Sequence, residues 1–310
     1  MNSYKIDIPV LLIFFVRTEI TKKTFEAIRQ ARPSKLYLYQ DGPRPGREDD
    51  LKNLIECRDA IEAMIDWDCE VHRFYQEENK GCDPSEFIAQ KWMFETEEMG
   101  IVIEDDDVAS QAFFPYCKEL LEKYKDDDRV NMICGMNNFD VADWVEDSYF
   151  FAQTGAICGW ASWKRVIDTW DGAYSFLDDS YAMEQLSLQE RNFPKKLAKT
   201  QMHRASKKEY YESILGFSRM LHHRLNIVPK YNMITNIGVG AESTHGHGNI
   251  HRYTKRARSV LNKKRYEIDL PLKHPKYMIA DKTYENKMNL TFWQKVSEKL
   301  EATIRCIIFR

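Results

Sequence analysis

The chain has 310 residues, of which 43% are hydrophobic and 30% are charged, so it is long enough and apolar enough to bury a sizeable core. Its formal net charge of −3 argues against a nucleic-acid-binding protein. The seven cysteines contain no Cys-x-x-Cys pair and no zinc spacing, which fits a reducing compartment. No apolar run reaches the roughly 18 residues that span a bilayer, and the run at 10–16 is too short for a signal peptide. We therefore expect a cytoplasmic protein.

Strand-like apolar runs alternate with amphipathic segments over the first hundred residues. The predicted strands are 9–16, 35–40, 70–75 and 101–103, the predicted helices are 21–31, 47–65 and 84–99, and a further helix (111–124) and strand (130–135) follow. Repeated β–α units predict an α/β fold with a Rossmann-like, mostly parallel sheet flanked by helices. No GxGxxG or GxxxxGK[ST] motif occurs, so a glycine cradle for phosphates is not expected.

The most informative stretch is 101–107, where three β-branched residues run directly into four acids. These acids are Glu104, Asp105, Asp106 and Asp107. Open α/β sheets bind ligands at the carboxyl ends of their strands. Adjacent carboxylates repel one another unless a cation lies nearby, and hard oxygen ligands suit Mg²⁺ or Mn²⁺ and hence a diphosphate. A solvated acidic loop is the alternative, and it is our interpretation of the acidic run 126–128, which follows a helical stretch.

A second unusual stretch, 154–163, places small residues beside Trp160 and Trp163. Small residues let a ligand approach the backbone, and a tryptophan face stacks on a sugar ring. A packed aromatic core around a tight turn is the alternative, and composition alone favours it.

Taken in order, these motifs resemble the inverting GT-A glycosyltransferases, specifically the bacterial sugar-nucleotide transferases related to N-acetylglucosaminyltransferase I. The resemblance covers roughly residues 9–247. It is carried by 15–17 (FVR), 41–44 (DGPR), 79–82 (NKGC), 104–106 (EDD) followed by Phe113 and Phe114, 159–165 (GWASWKR), 236–238 (NIG) and 244–245 (TH).

The resemblance implies roles for the acids. Asp106 matches the metal ligand, with Asp107 as the neighbouring alternative because it replaces an apolar residue of the family pattern. Glu104 would face the hydroxyls of the donor sugar, and Asp105 would lie near the ribose. Mn²⁺ or Mg²⁺ would be the cofactor.

Other matched positions would contact the nucleotide sugar. Arg17 and Asp41 match positions that touch the base or the ribose. Thr244 and His245 match a loop that closes over the donor phosphates. The remaining matched binding positions are Asn79, Gly159 and Trp160.

An inverting transfer also needs a carboxylate that takes the proton of the acceptor hydroxyl. Related sequences place this base in a Trp-Asp pair about seventeen residues before the proline that opens a late strand. Counting back from Pro229 gives Tyr211 and Glu212, so Glu212 is the predicted catalytic base. Asp179 and Glu184 are the alternatives, and a surface-helix glutamate is the non-catalytic interpretation of Glu212.

The C-terminal part differs in composition, and we predict a division into a catalytic domain (1–248) and a basic, amphipathic helical tail (249–310). Residues 251–277 contain nine Lys or Arg and two acids, which suits an anionic surface or substrate. Residues 290–309 carry one apolar stripe at helical spacing, either docked on the protein or lying on a membrane.

The sequence therefore predicts a metal-dependent hexosyl- or N-acetylhexosaminyltransferase. It would move a sugar from a nucleotide-diphosphate donor, a UDP-sugar by preference, to a hydroxyl of a growing or lipid-linked bacterial surface glycan. The tail would allow peripheral contact with the inner face of the membrane. One alternative is a sugar-nucleotide nucleotidyltransferase, although such enzymes usually open with a glycine-rich loop where this chain has Arg17, Thr18 and Glu19. Another is a non-catalytic glycan- or cation-binding module.

Overall fold

The computed structural model describes residues 3–189, 193–239, 250–289 and 292–308. The strands within these ranges are β1 (Val10–Phe14), β2 (Lys35–Gln40), β3 (Glu70–Tyr75), β4 (Met99–Glu104), β5 (Asp107–Ala109), β6 (Val130–Cys134), β7 (Tyr149–Ala152), β8 (Trp160–Trp163), β9 (Leu225–Pro229) and β10 (Ile234–Asn236). The α-helices are α1 (Thr18–Ala31), α2 (Asp50–Glu62), α3 (Cys82–Thr96), α4 (Phe113–Lys123), α5 (Lys164–Ile167), α6 (Ser180–Gln189), α7 (Phe193–Ser206), α8 (Tyr211–Leu221), α9 (Lys255–Ser259), α10 (Lys282–Met288) and α11 (Phe292–Ile308).

Eight of these strands form one mixed sheet in the order β3-β2-β1-β4-β8-β6-β9-β7, and β5 pairs with β10 in a small separate sheet. The first four strands of this order are parallel. Strand β8 runs antiparallel to both β4 and β6, β6 and β9 are parallel, and β7 is antiparallel to β9. The predicted Rossmann-like α/β class, with a mostly parallel sheet flanked by helices, is confirmed.

The central strands are buried on both faces, which explains their uninterrupted apolar sequences. In β1, Val10, Leu12 and Phe14 join one hydrophobic cluster, whereas Leu11 and Ile13 join the other. Helices α1, α2 and α4 cover the first face, and α3 and α8 cover the second. The sheet therefore has one hydrophobic core on each side.

Most predicted elements of the first half are present, with shifted ends. Helix α1 begins three residues before the predicted start because the carbonyl of Arg17 accepts from both the amide and the hydroxyl of Thr21. Helix α3 begins at Cys82, so Pro84 occupies the third position of the helix and not the predicted first. The missing N–H of proline is harmless at the third position too, because the first four N–H groups of a helix have no partner within it. The prediction that Pro229 opens a strand is wrong, because it is the last residue of β9.

Part of the C-terminal segment packs on the sheet. Tyr284 of α10 is fully buried and its ring lies 5.0 Å from that of Phe150 in β7. The ammonium of Lys263 is buried and donates to Asp140 at 2.9 Å. The predicted domain division after residue 248 stays a prediction.

Over the part of the chain that the structure describes, no helix is both long enough and apolar enough to cross a membrane.

Candidate active site at the acidic end of β4

The candidate site lies where the parallel strands β1, β2, β3 and β4 end together. Glu104 is the last residue of β4 and lies opposite Ile13 of β1. A cleft of about 410 Å³ opens at this edge, lined by residues from the loops after all four strands. Among the predicted site residues, those that line it are Arg17, Asp41, Asn79, Glu104 and Asp105. Parallel strands thus bring together side chains from distant parts of the sequence.

Arg17 binds two of the four acids. Its guanidinium donates to both oxygens of Asp105, with an Nε–Oδ2 distance of 3.1 Å, and to Asp106 Oδ2 at 2.9 Å. Burial by itself lowers the pKa of Arg17, but Asp105 and Asp106 outweigh burial and raise the pKa above its ordinary value. Burial raises the pKa of Asp105 to about 6, although Arg17 opposes this shift. Arg17 is therefore the cation that stabilises the acidic strand end in this structure.

Asp106 and Asp107 differ in accessibility. Asp106 keeps 13% of its side chain exposed, and its Oδ1 accepts from Asn236 Nδ2 at 2.8 Å. Asp107 has no exposed surface, and its oxygens accept from the amide of Gly159 at 2.9 Å and from Asn236 at 3.0 Å. Burial and the neighbouring Asp106 raise the pKa of Asp107. Of the two predicted ligands, Asp106 is the one that an ion can reach.

A fifth carboxylate, which is not among the predicted site residues, lies at this edge. Glu86 of α3 is 5% exposed and accepts from Gln90 Nε2 at 3.1 Å. Burial, followed by the charge of Asp105, raises the pKa of Glu86 well above its usual range. Burial and then Glu86 do the same for Glu104. The signal was available, because Glu86 has helical spacing to the buried residues Ala89, Gln90 and Met93.

Asp41 and Asn79 hold two loops together. Asp41 accepts from the amides of Gly42 (2.8 Å), Lys80 (2.8 Å) and Gly81 (3.0 Å) and from Asn79 Nδ2 (2.8 Å). These bonds tie the loop after β2 to the loop after β3 along the rim of the cleft. The prediction that both residues contact a nucleotide stays a prediction.

The stretch 154–163 contains a turn and a buried strand. Gly159 has a φ of 56°, a left-handed conformation that suits glycine, and its amide binds Asp107. Trp160 is 1% exposed, and its ring lies 6.4 Å from that of Trp170. The indole therefore lacks the open face that stacking on a sugar requires, and the packed-core interpretation fits it. The predicted phosphate-loop residues Thr244 and His245 lie outside the described residues.

Glu212 is exposed in the first turn of α8 and lines a second cleft of about 590 Å³. Its neighbour Tyr211 is buried, and the Tyr211 hydroxyl donates to Glu104 Oε1 at 3.3 Å. The start of α8 is thereby held at the acidic strand end. The alternative base Asp179 is exposed and accepts from the amide of Ala182 at 2.9 Å in the first turn of α6. Glu184 is also exposed on α6, and neither alternative lines either cleft.

Within the described residues, no three His, Cys, Asp or Glu side chains are grouped so as to hold a metal ion. Mg²⁺ and related ions bound with nucleotides often take one or two carboxylates and fill their other positions with phosphate oxygens and water. Asp106 offers one such partly exposed carboxylate at the strand end. The donor set therefore fits an ion that arrives with a diphosphate.

No protein-family model matches the chain, and no curated protein matches it. Solved structures with a similar fold include a UDP-glucose pyrophosphorylase complexed with UDP-glucose, at 10% identity and a TM-score of 0.40, over 73% of this chain and 91% of that one. The inositol-1-phosphate CTP transferase from T. maritima matches at 8% identity and a TM-score of 0.35, over 73% of this chain and 86% of the other. A putative glucose-1-phosphate thymidylyltransferase from Bacillus anthracis matches at 7% identity and a TM-score of 0.36, over 74% and 89%.

These similar structures are nucleotidyltransferases of Rossmann type, and they give no direct support to a relationship with N-acetylglucosaminyltransferase I. At identities of 10% or less and TM-scores of 0.40 or less, the likeness assigns no activity to this chain.

Proposed function

We propose that this protein is a metal-dependent inverting glycosyltransferase that uses a nucleotide-diphosphate sugar. The observation that carries the proposal is the contact between Tyr211 and Glu104. Glu104 lines the cleft at the parallel strand ends, and Glu212, next to Tyr211, lines the second cleft. Two clefts on either side of one contact would hold a donor and an acceptor close together, as a sugar transfer between two substrates requires.

The donor would lie in the cleft at the end of β4. Asp106 would hold Mn²⁺ or Mg²⁺, which would offset the negative charge that develops on the leaving diphosphate. Burial and the neighbouring Glu86 raise the pKa of Glu104, and the carboxyl would donate to a sugar oxygen in its protonated form. Arg17 is bound to Asp105 and Asp106, and it would contact a phosphate when an ion takes its place on Asp106.

The acceptor would lie in the second cleft. Glu212 would accept the proton of an acceptor hydroxyl while that oxygen attacks the anomeric carbon of the donor sugar. The bond between the anomeric carbon and the diphosphate oxygen breaks as the new bond forms, so the configuration inverts and the nucleoside diphosphate leaves. An exposed carboxylate beside a cleft can exchange this proton with water afterwards.

The second candidate is a sugar-nucleotide nucleotidyltransferase, which the names of the similar solved structures favour. The connection between β1 and α1 argues against it. It contains only residues 15–17 (FVR), with no glycine, and the side chain of Arg17 is bound to acids. A glycine-rich loop that wraps a triphosphate has no counterpart there.

Product analysis separates these functions. The protein is incubated with Mn²⁺ and a panel of UDP-sugars with glycan acceptors, and separately with nucleoside triphosphates and sugar 1-phosphates. Release of UDP with a lengthened acceptor is the expected result. Pyrophosphate release with formation of a sugar nucleotide would move the assignment to the nucleotidyltransferase, and glycan binding without any nucleotide consumption would move it to the non-catalytic module. A thermal-shift screen of sugar nucleotides with and without Mn²⁺ selects the donors, because a bound ligand stabilises the native state.

A further inference from the structure

Helix α11 exposes a continuous apolar stripe. Its four members recur at helical spacing and are 46–67% exposed. They are Leu300, Ile304, Ile307 and Ile308. Large aliphatic side chains scattered singly on a surface need no explanation, but four on one helix face form a patch that suits an apolar partner.

Helix α11 contacts the rest of the protein, at residues 251–255, through its polar side chains and not through the apolar stripe. Glu298 accepts from the hydroxyl of Thr254 at 3.3 Å, and Glu301 accepts from the amide of Lys255 at 2.9 Å. Arg305 donates to Glu301 at 2.6 Å and to the carbonyl of His251 at 3.1 Å. Glu298 and Glu301 are thereby directed towards the rest of the protein. The contacts therefore fix the orientation that leaves the apolar stripe outside.

The surroundings of the stripe are basic. Residues 251–259, the stretch that α11 contacts, contain four Lys or Arg and no acid. Lys255 and Arg256 of α9, the helix that α11 packs beside, are exposed, as is Lys299 of α11. An apolar row on a helix with cations around it is the pattern of a helix that lies in the interface of an anionic bilayer.

We propose that the Leu300–Ile308 face of α11 binds the surface of a membrane that contains anionic lipids. The four aliphatic side chains would enter the acyl boundary while the neighbouring lysines and arginines contact lipid phosphates. A second copy of this chain is the less favourable occupant, because symmetric pairing of the stripe would bring the same basic residues face to face. This inference does not depend on the proposed reaction.

Vesicle flotation tests the proposal with a matched pair of variants. The purified full chain is mixed with vesicles of phosphatidylcholine alone or with added phosphatidylglycerol, because an anionic surface attracts basic segments. The test variant is Leu300→Glu/Ile304→Glu. The control is Leu51→Glu/Ile55→Glu on α2, because Leu51 is 59% and Ile55 46% exposed, against 61% for Leu300 and 46% for Ile304. Both pairs are four residues apart on a helix and change the net charge equally. Thermal melts establish that both variants are folded.

We expect the wild type and the control variant to float with the anionic vesicles and to remain behind with the neutral ones. The test variant should lose roughly a hundredfold in partitioning, since each buried aliphatic side chain contributes about tenfold. Equal loss in the control variant would overturn the proposal, because charge alone would then explain the effect. Absence of wild-type flotation would overturn it as well, and a dimer that only the test variant abolishes would assign the stripe to a second copy. Activity is not measured, so failure of the proposed reaction leaves this result unaffected.

Discussion

The guanidinium of Arg17 lies 2.9 Å from Asp106 Oδ2, so the carboxylate predicted to bind a metal is held by a cation of the protein itself. A divalent ion that bound Asp106 as proposed would have to displace Arg17 from this oxygen.

The first prediction concerns the replacement Arg17→Met. Without metal the variant should lose about 3–5 kcal/mol of stability, because buried carboxylates lose their partner. Added Mn²⁺ alone should raise its melting temperature more than that of the wild type, since the ion no longer displaces an arginine. Differential scanning fluorimetry with and without Mn²⁺ measures both effects. Arg44→Met, which breaks the ion pair with Asp50, is the control and should respond to Mn²⁺ as the wild type does. An identical response of all three proteins would contradict this displacement.

The second prediction separates Asp106 from Asp107. Asp106→Ala should abolish most of the Mn²⁺-dependent binding of UDP and most activity, because it removes the accessible ligand. Asp107→Asn should mainly lower stability, since Asp107 is buried and bonded to Gly159 and Asn236. Isothermal titration of UDP with and without Mn²⁺ measures binding. Full activity in excess EDTA would show that the metal assignment is wrong.

The third prediction concerns Glu212 as the base. Glu212→Gln should reduce turnover by about 10²–10⁴, the usual contribution of a general base, while UDP-sugar binding stays nearly unchanged. The amide keeps the shape of the side chain but accepts no proton. Steady-state turnover and donor titration are measured side by side. Asp179→Asn and Glu184→Gln are the controls, and a larger loss in either of them would move the assignment to that residue.

The fourth prediction concerns pH. The folded-state pKa of Glu86 is raised above its ordinary value of 4.5 by burial, so its bound proton favours the native state. This contribution is complete below pH 4.5 and is lost as the pH rises through the folded-state pKa. Glu86→Gln carries no charge at any pH, so in EDTA it should be more stable than the wild type at pH 8 by about 1–3 kcal/mol. At pH 5 the difference should be smaller.

Urea unfolding at the two pH values measures the difference for Glu86→Gln. Glu95→Gln is the control, because Glu95 is exposed on the same helix and its replacement removes the same charge without a change in burial. A pH-independent difference between Glu86→Gln and the wild type would mean that the carboxylate of Glu86 is charged in the native state.

The fifth prediction concerns close packing around Asp106. A Cβ at Gly238 would lie 1.9 Å from Asp106 Oδ2, so Gly238→Ala must displace the carboxylate or the backbone. We expect a loss of about 1–3 kcal/mol in stability together with loss of metal-dependent UDP binding. Gly216→Ala in α8 meets no atom within 4 Å and should stabilise the protein by about 0.5–1 kcal/mol. Unchanged UDP binding in Gly238→Ala would show that Asp106 need not stay where it is.

The sequence by itself determined the sheet and the position of its acidic end. The apolar runs at 9–16 and 101–103 are uninterrupted because both faces of β1 and β4 are covered, and this pattern is local. The change from apolar residues to acids at Glu104 marks the end of β4, because burial between the two cores ends there. Both features follow from the character of neighbouring residues, so they are visible without tertiary information.

Tertiary structure decided how the polar groups pair. Arg17 and Asp105 are 88 positions apart, and only the parallel pairing of β1 with β4 brings them into contact. Asn236 reaches Asp106 from 130 positions away because β10 pairs with β5. Composition favoured a packed core around Trp160, but only the structure shows that β8, which carries it, lies between β4 and β6. Which polar groups pair, and which side chains are buried, depends on which strands become neighbours. The order of residues along the chain does not show those neighbours.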